Sequence, residues 1–320
     1  MNSSYDVQLT KGYVLRHAPA QGGPGWEAAL IDIAQDLLLR HLAEVDVLNL
    51  FAFKGGTALR KFFAGAAGRF STDLDFSVAN VDDDARSALD LLVEHIDGVE
   101  IGGFRYSVTW RNNKPSIRYQ SELGDAGQNL ESKIDVGPPP WLAPTARKWV
   151  PVPIHDRYGG QLPSLQVMDL AENIAEKIAR LNRVNPPRDA YDLWWVARTP
   201  GNQLDHNLVR RLAVLKCWVD TNGLTGGASS WRTLPQSSGF DTERWLTLRR
   251  ARDFDDDSIG LLTAPSPDLD ELGRELIATY RWVADLDGDE QVVARGHAGD
   301  RGLVLRMLAK LPSGRMSACR

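Results

Sequence analysis

Residues 69–78 read Arg69-Phe70-Ser71-Thr72-Asp73-Leu74-Asp75-Phe76-Ser77-Val78. From Asp73 onward polar and apolar residues alternate strictly, which is the period of a half-buried β-strand. Asp73, Asp75 and Ser77 therefore share one face, and Leu74, Phe76 and Val78 share the other. The apolar set packs on a core, so both carboxylates leave the sheet on the same side. Two carboxylates about 7 Å apart along a strand can converge on one hard cation or hold two. Mg2+ suits such a pair, because it takes one or two carboxylates and completes its shell with water and substrate phosphates. A lone Asp-x-Asp is more commonly a solvated strand face at a sheet edge, so its neighbours in the chain have to decide.

Upstream, residues 48–53 form an apolar run that predicts a strand, followed by Lys54-Gly55-Gly56-Thr57 and a helix over 58–64. Glycines between a strand and a helix let the backbone approach an anion closely, and the first N–H groups of the helix face it. Thr57 either adds a hydroxyl to such a ligand or caps the helix. Before this lies an amphipathic helix over 26–45, with Leu30, Ile33, Leu37, Leu38 and Leu42 at helical spacing and Asp32, Gln35 and Arg40 mostly opposite.

Downstream, Asp82 is the expected N-cap of a helix reaching Ile96. Strands are predicted over 104–110, 116–120 and 130–136. In the last of these Lys133 and Asp135 share one face. Asp135 is a third carboxylate able to deprotonate a hydroxyl nucleophile, or else half of a solvated Lys–Asp pair. Pro138, Pro139 and Pro140 cannot continue a sheet, and the proline-bearing stretch to Pro163 reads as a connection.

The chain then turns helical, over 167–182, 188–198, 206–220, 242–253 and 269–284, with a short helix over 303–311; residues 222–239 read as an exposed loop. In the first of these helices Ala171, Ile174, Ile178 and Leu181 form the buried stripe. Glu172 and Glu176 point away from it, with Glu176 and Arg180 spaced as an i,i+4 pair. Lys177 borders the stripe and either runs along the surface or projects toward a phosphate. Asp189 and Asp192 open the next helix beside Leu193 and Val196. Buried carboxylates there need partners, although an acid in a first turn also favours the helix dipole.

The chain has 320 residues, 43% of them hydrophobic and 25% charged, enough for about two soluble domains. Its 37 basic and 42 acidic side chains leave a net charge of −5, which argues against coating duplex nucleic acid but not against gripping one RNA end. Two cysteines, Cys217 and Cys319, and six scattered histidines offer neither a disulfide framework nor a transition-metal site. No apolar run spans a membrane and no export signal is visible, so the cytoplasm is the expected location.

Taken in order, Lys54-Gly55-Gly56-Thr57-Ala58-Leu59-Arg60-Lys61, Arg69 to Ser77, Glu176-Lys177 and Arg188-Asp189-Ala190-Tyr191-Asp192-Leu193 resemble the AbiEii/AbiGii-type toxins of the DNA polymerase β-like nucleotidyltransferase superfamily. The resemblance spans roughly residues 25 to 200. It implies an α+β protein with an N-terminal polymerase-β-like α/β domain (1–150) and a C-terminal helical bundle (151–320) completing the substrate cleft. It further implies that Gly55, Gly56 and Thr57 cradle a triphosphate, that Ser71 sits beside the metal, and that Asp73 and Asp75 hold Mg2+. Lys177 would contact nucleotide phosphates, Asp135 would act beside the carboxylate pair, and Asp189 would complete the essential set.

The activity implied is transfer of NMP from an NTP to RNA, the tRNA 3′ end, with release of pyrophosphate, by a toxin of a bacterial toxin–antitoxin or abortive-infection module with a cognate antitoxin. The alternatives are nucleotidylylation of a protein Ser, Thr or Tyr, and a nucleotide-binding module without turnover. The residues after Ala284 match no pattern.

Overall fold

In the computed structural model, residues 6–18, 23–80, 83–124, 130–199, 203–224, 239–247, 250–254 and 268–312 are described. The alternating segments become strands: β1 Phe51–Lys54, β2 Leu74–Val78, β3 Glu100–Ile101, β4 Phe104–Arg111, β5 Lys114–Ser121, β6 Leu130–Gly137, β7 Thr145–Arg147 and β8 Leu165–Val167. They form one mixed sheet in the order β3-β4-β5-β6-β2-β1-β8-β7. β1 runs antiparallel to β2, while β2 and β6 are parallel, with Leu74 opposite Ile134 and Asp75 opposite Asp135. β6 changes partner halfway: Leu130 to Lys133 pair with β5, and Ile134 to Gly137 pair with β2. β4 and β5 join through Asn112 and Asn113, whose φ values of 49° and 61° suit the twist of a two-residue hairpin.

The helices are α1 Lys11–His17, α2 Gly23–Glu44, α3 Gly55–Leu59, α4 Ala85–Glu94, α5 Leu170–Arg183, α6 Pro187–Arg198, α7 His206–Asn222, α8 Thr242–Leu246, α9 Leu269–Thr279, α10 Gly288–Ala294 and α11 Arg301–Ala309. Two compact units result. One contains Met1–Pro140 and Pro144–Met168; the other contains Trp141–Ala143, Asp169–Ile259 and Pro267–Arg320. The first is the α/β unit, with a core of Leu30, Ile33, Leu37, Phe53, Phe76, Phe104 and Ile117; the second is helical, around Ile174, Ile178, Leu193, Leu212, Trp218 and Leu276.

Several expectations shift. Residues 47–50 form a 3-10 turn before β1, and the helix expected from Ala58 starts at Gly55 and becomes a π turn over Arg60–Ala64. The helix expected from Asp82 begins at Ala85 with Asp84 as cap, the Ser87 N–H donating to its carboxylate at 2.8 Å; Asp82 lies outside the described residues. Residues 225–238 of the expected loop and Cys319 lie outside them too. The helix expected from Val167 starts at Leu170 because Leu165–Val167 pairs with β1 and β7. The helices expected over 242–253 and 269–284 each end sooner and give way to 3-10 turns.

The largest departure is α2. Its polar side is not a solvent face: Asp32, Gln35, Asp36 and Arg40 are 3%, 0%, 1% and 6% exposed. Arg60 Nε and Lys61 Nζ lie 3.1 and 2.9 Å from the Asp32 carboxylate, and Lys61 also reaches Asp36 at 2.5 Å. His17 Nε2 approaches Asp32 at 2.8 Å, and the Tyr158 hydroxyl donates to Asp36 at 2.7 Å. Burial opposes ionisation of Asp32, but Arg60 and Lys61 outweigh it and hold the carboxyl well below the usual range. Lys61 acts likewise on Asp36, against both burial and the neighbouring Asp32 charge. The polar side of this helix is buried because its charges are answered from several parts of the chain: Arg60 and Lys61 after the glycine turn, His17 before the helix, and Tyr158, whose carbonyl accepts from Arg40 at 2.8 Å.

Candidate active site

β1 ends at Lys54, and the chain turns at Gly55 with φ +79°, a left-handed value that favours glycine. A Cβ at Gly55 would collide with the Asp75 carboxylate. A Cβ at Gly56 would lie 2.5 Å from Arg69 Nη2 and 3.1 Å from Ser71 Oγ. The glycine turn is thus packed directly on the acidic segment. Its backbone comes this close because neither residue carries a side chain.

Asp73 immediately precedes β2, and Asp75 is its second residue; both are half-buried. The Thr57 hydroxyl donates to the Asp73 carbonyl at 2.5 Å, so Thr57 ties the helix start to the strand start. Thr57 is not the cap residue, a position held by Lys54 without a side-chain hydrogen bond. Asp135 is exposed and stands opposite Asp75 on the neighbouring parallel strand. In-register residues on paired strands point to the same face, about 4.8 Å apart at the backbone. Lys54 is opposite Asp75 on the other side, so Lys54, Asp75 and Asp135 form a row across three strands. The Lys54 ammonium reaches across to Gly137, lying 3.5 Å from where a Cβ of that residue would be, an ordinary contact distance.

From behind, α2 fixes this region. Gln35 Nε2 donates to the Thr72 carbonyl at 3.0 Å and to Ser132 Oγ at 3.1 Å, holding the approaches to β2 and β6 in one grip. The Asp73 charge joins burial in pushing the Tyr119 phenol well above its usual range. Lys54, Arg69 and Gln35 have no role that the sequence alone assigns. The signal for the first two is only their place inside the quoted motifs; for Gln35 there is none, since its partners are 37 and 97 residues away.

The helical unit holds the remaining two residues and brings them together. Lys177 Nζ lies 3.1 Å from Asp189 Oδ1 and 2.9 Å from Asp192 Oδ2, and Arg180 Nε lies 3.3 Å from Asp189 Oδ2. All but Arg180 are buried. Lys177 does not run along the surface, and the carboxylates at the start of α6 have their partner. Glu172, expected to face outward, is 0% exposed: it accepts the Trp141 and Leu142 N–H groups at 2.9 and 2.8 Å and pairs with Lys216 at 2.9 Å. Glu176 also pairs with Lys216, at 3.2 Å. Cys217 is buried and its thiol pushed up to about 12 by that burial, so it is inert as a nucleophile. Among the described residues no three His, Cys, Asp or Glu side chains gather into a metal cage, and no helix is long and apolar enough to cross a membrane.

A glycine turn set against carboxylates on a mixed sheet, followed by a helical unit, belongs to the class of nucleotidyltransferases. The family model described as nucleotidyl transferase AbiEii toxin, type IV TA system, matches residues 36–278. The chain belongs to that AbiEii family and is a nucleotidyltransferase toxin of a type IV toxin–antitoxin system. Among solved structures it is similar to MenT4, a nucleotidyltransferase toxin from Mycobacterium tuberculosis H37Rv, with a TM-score of 0.82 and 36% sequence identity over 95% of this chain and 100% of that one. No curated protein matches the sequence. Family membership brings with it an NTP substrate, an antitoxin partner and the divalent metal ions that nucleotidyltransferases generally use.

Proposed function

We propose that this toxin transfers NMP from an NTP to an RNA acceptor, the 3′ end of tRNA, with release of pyrophosphate. The observation that carries the reading is the packing of Gly55 on the Asp75 carboxylate, which puts an anion-accepting turn and a cation-holding side chain at one point. Asp73 and Asp75 offer hard oxygen donors of the kind that Mg2+ takes alongside substrate phosphates, so the donor set fits that ion. When bound there it supplies Lewis-acid neutralisation of phosphate charge.

The chain's own groups do the rest. Gly55 and Gly56 present backbone N–H groups to the triphosphate, Arg69 adds fixed positive charge beside them, Thr57 holds the turn to the acidic segment, and Ser71 sits beside the metal. Asp135 accepts the proton of the acceptor hydroxyl. That oxygen forms a bond to the α-phosphorus while the α–β bridging bond breaks, and its electron pair leaves with pyrophosphate. Lys177, aimed by Asp189 and Asp192, serves the nucleotide phosphates, and Asp189 completes the essential set. The cytoplasm, where NTP and tRNA meet, is the proposed place of action.

The test is incubation of the purified protein with total tRNA and each α-32P-labelled NTP in turn. Label should appear in RNA, and Asp73→Ala or Asp75→Ala should abolish it, while circular dichroism shows the fold kept. Undiminished labelling in either variant removes the mechanism. Label migrating with protein instead replaces the acceptor by a Ser, Thr or Tyr side chain.

A further inference from the structure

The sheet face that carries Asp75 and Asp135 does not stop at β6. Alternation and register extend it across β5 and β4: Lys133 stands opposite Ser116, which is opposite Thr109; Glu131 is opposite Arg118, which is opposite Ser107. Lys114 and Arg111 pair at one end of the hairpin, and Gln120 and Arg105 toward the other. All of these point to the same side, because directly paired residues share a face. The other side is the core, with Phe104, Tyr106, Ile117, Tyr119, Leu130 and Ile134 buried against it.

Arg105, Arg111, Lys114, Arg118 and Lys133 are all exposed. Glu131 lies 3.8 Å from Arg118, and Glu100 on β3 pairs with Arg105 at 2.5 Å. A chain of net charge −5 thus gathers five cations on one open face. Between them stand the hydroxyls of Ser107, Thr109 and Ser116. Among the described residues of this face no aromatic or aliphatic side chain occurs.

We propose that the RNA acceptor lies along this face of β4, β5 and β6 and is held by its phosphates and 2′-hydroxyls. The inference rests on the RNA-acceptor reading above. Charge complementarity selects a polyanion. The composition selects nucleic acid over protein, since protein interfaces centre on apolar and aromatic anchors while nucleic-acid interfaces are polar and basic. Without rings for bases to stack on, recognition is of the backbone and tolerates sequence. Continuity selects the acceptor strand: Lys133 and Asp135 are two residues apart on β6 and share its outer face, so a strand held there runs into the acidic row.

The test compares wild type with the double variant Lys114→Glu/Arg118→Glu and the charge-keeping pair Lys114→Arg/Arg118→Lys, in tRNA labelling at varied tRNA, NTP and salt. The reversal should raise the KM for tRNA about tenfold or more and lower the slope of log KM against log salt by about one to two. The KM for NTP and the rate at saturating tRNA should stay, and the charge-keeping pair should behave as wild type. An unchanged KM for tRNA in the reversal overturns this assignment alone. Loss of antitoxin affinity without change in that KM gives the face to the antitoxin and overturns it too. Wild type that labels protein and not RNA removes the underlying reading, before any variant is compared.

Discussion

At the scale of single residues, Gly55 has two separate reasons to be glycine: its φ of +79° and the carboxylate that a Cβ would strike. Gly98 shares the first reason only, with φ +78° and nothing within 4 Å of the place its Cβ would take. Alanine at Gly98 should cost about 1–2 kcal/mol in stability from the left-handed backbone, and alanine at Gly55 more, because the clash with Asp75 adds to it. Only Gly55→Ala should also lose transfer activity, because its methyl displaces Asp75. Equal activity in the two variants, measured where both are folded, would sink the claim that this turn and Asp75 work together. Gly55, Gly56, Asp73 and Asp75 were legible in the sequence because each lies in a short pattern whose geometry follows from local rules. Lys54 and Arg69 were printed in the same patterns, but what they touch depends on Gly137 and Gly56 arriving from other parts of the fold.

At the scale of elements, the strands around the site were legible wherever alternation ran for five residues or more, as in β2, β4, β5 and β6. β7 and β8 have three residues each and carry no readable period. The burial of the polar side of α2 was not legible for a different reason: a buried charged face and a solvated one have the same sequence pattern until the partners are known. The contact between α5 and α6 can be tested in the same terms. Lys177→Met leaves Asp189 and Asp192 buried without their shared ammonium and should lower the helical unit's stability by about 3–5 kcal/mol. Asp192→Asn keeps the Lys177–Asp189 pair at 3.1 Å and should cost less. At a temperature where both variants are folded, Lys177→Met should lack transfer and Asp192→Asn should retain most of it. If both are equally active, Lys177 is a structural strut and nothing more.

At the scale of the whole molecule, the ion network around α2 sets the response to acid. Asp32 and Asp36 titrate below the usual carboxylate range in the folded chain. Their contribution is therefore fully present above about pH 4, the ordinary unfolded value, and is lost as the pH falls through the lower folded values. Urea midpoints should fall steeply on acidification from about pH 4 downward. Asp36→Asn should start from a lower midpoint and show a shallower fall over the same interval. A parallel decline in the two proteins would show that other carboxylates govern the acid limb.

The handover of β6 from one neighbour to another has a consequence for how such proteins diversify. The 104–121 hairpin is stitched to β6 through Leu130 to Lys133, whereas the acidic row is stitched through Ile134 to Gly137. Drift in the hairpin's outward charges leaves the second set of hydrogen bonds untouched. The hairpin is thus a cassette: transplanting it between homologues should change how tightly an acceptor backbone is gripped while the reacting groups stay in place.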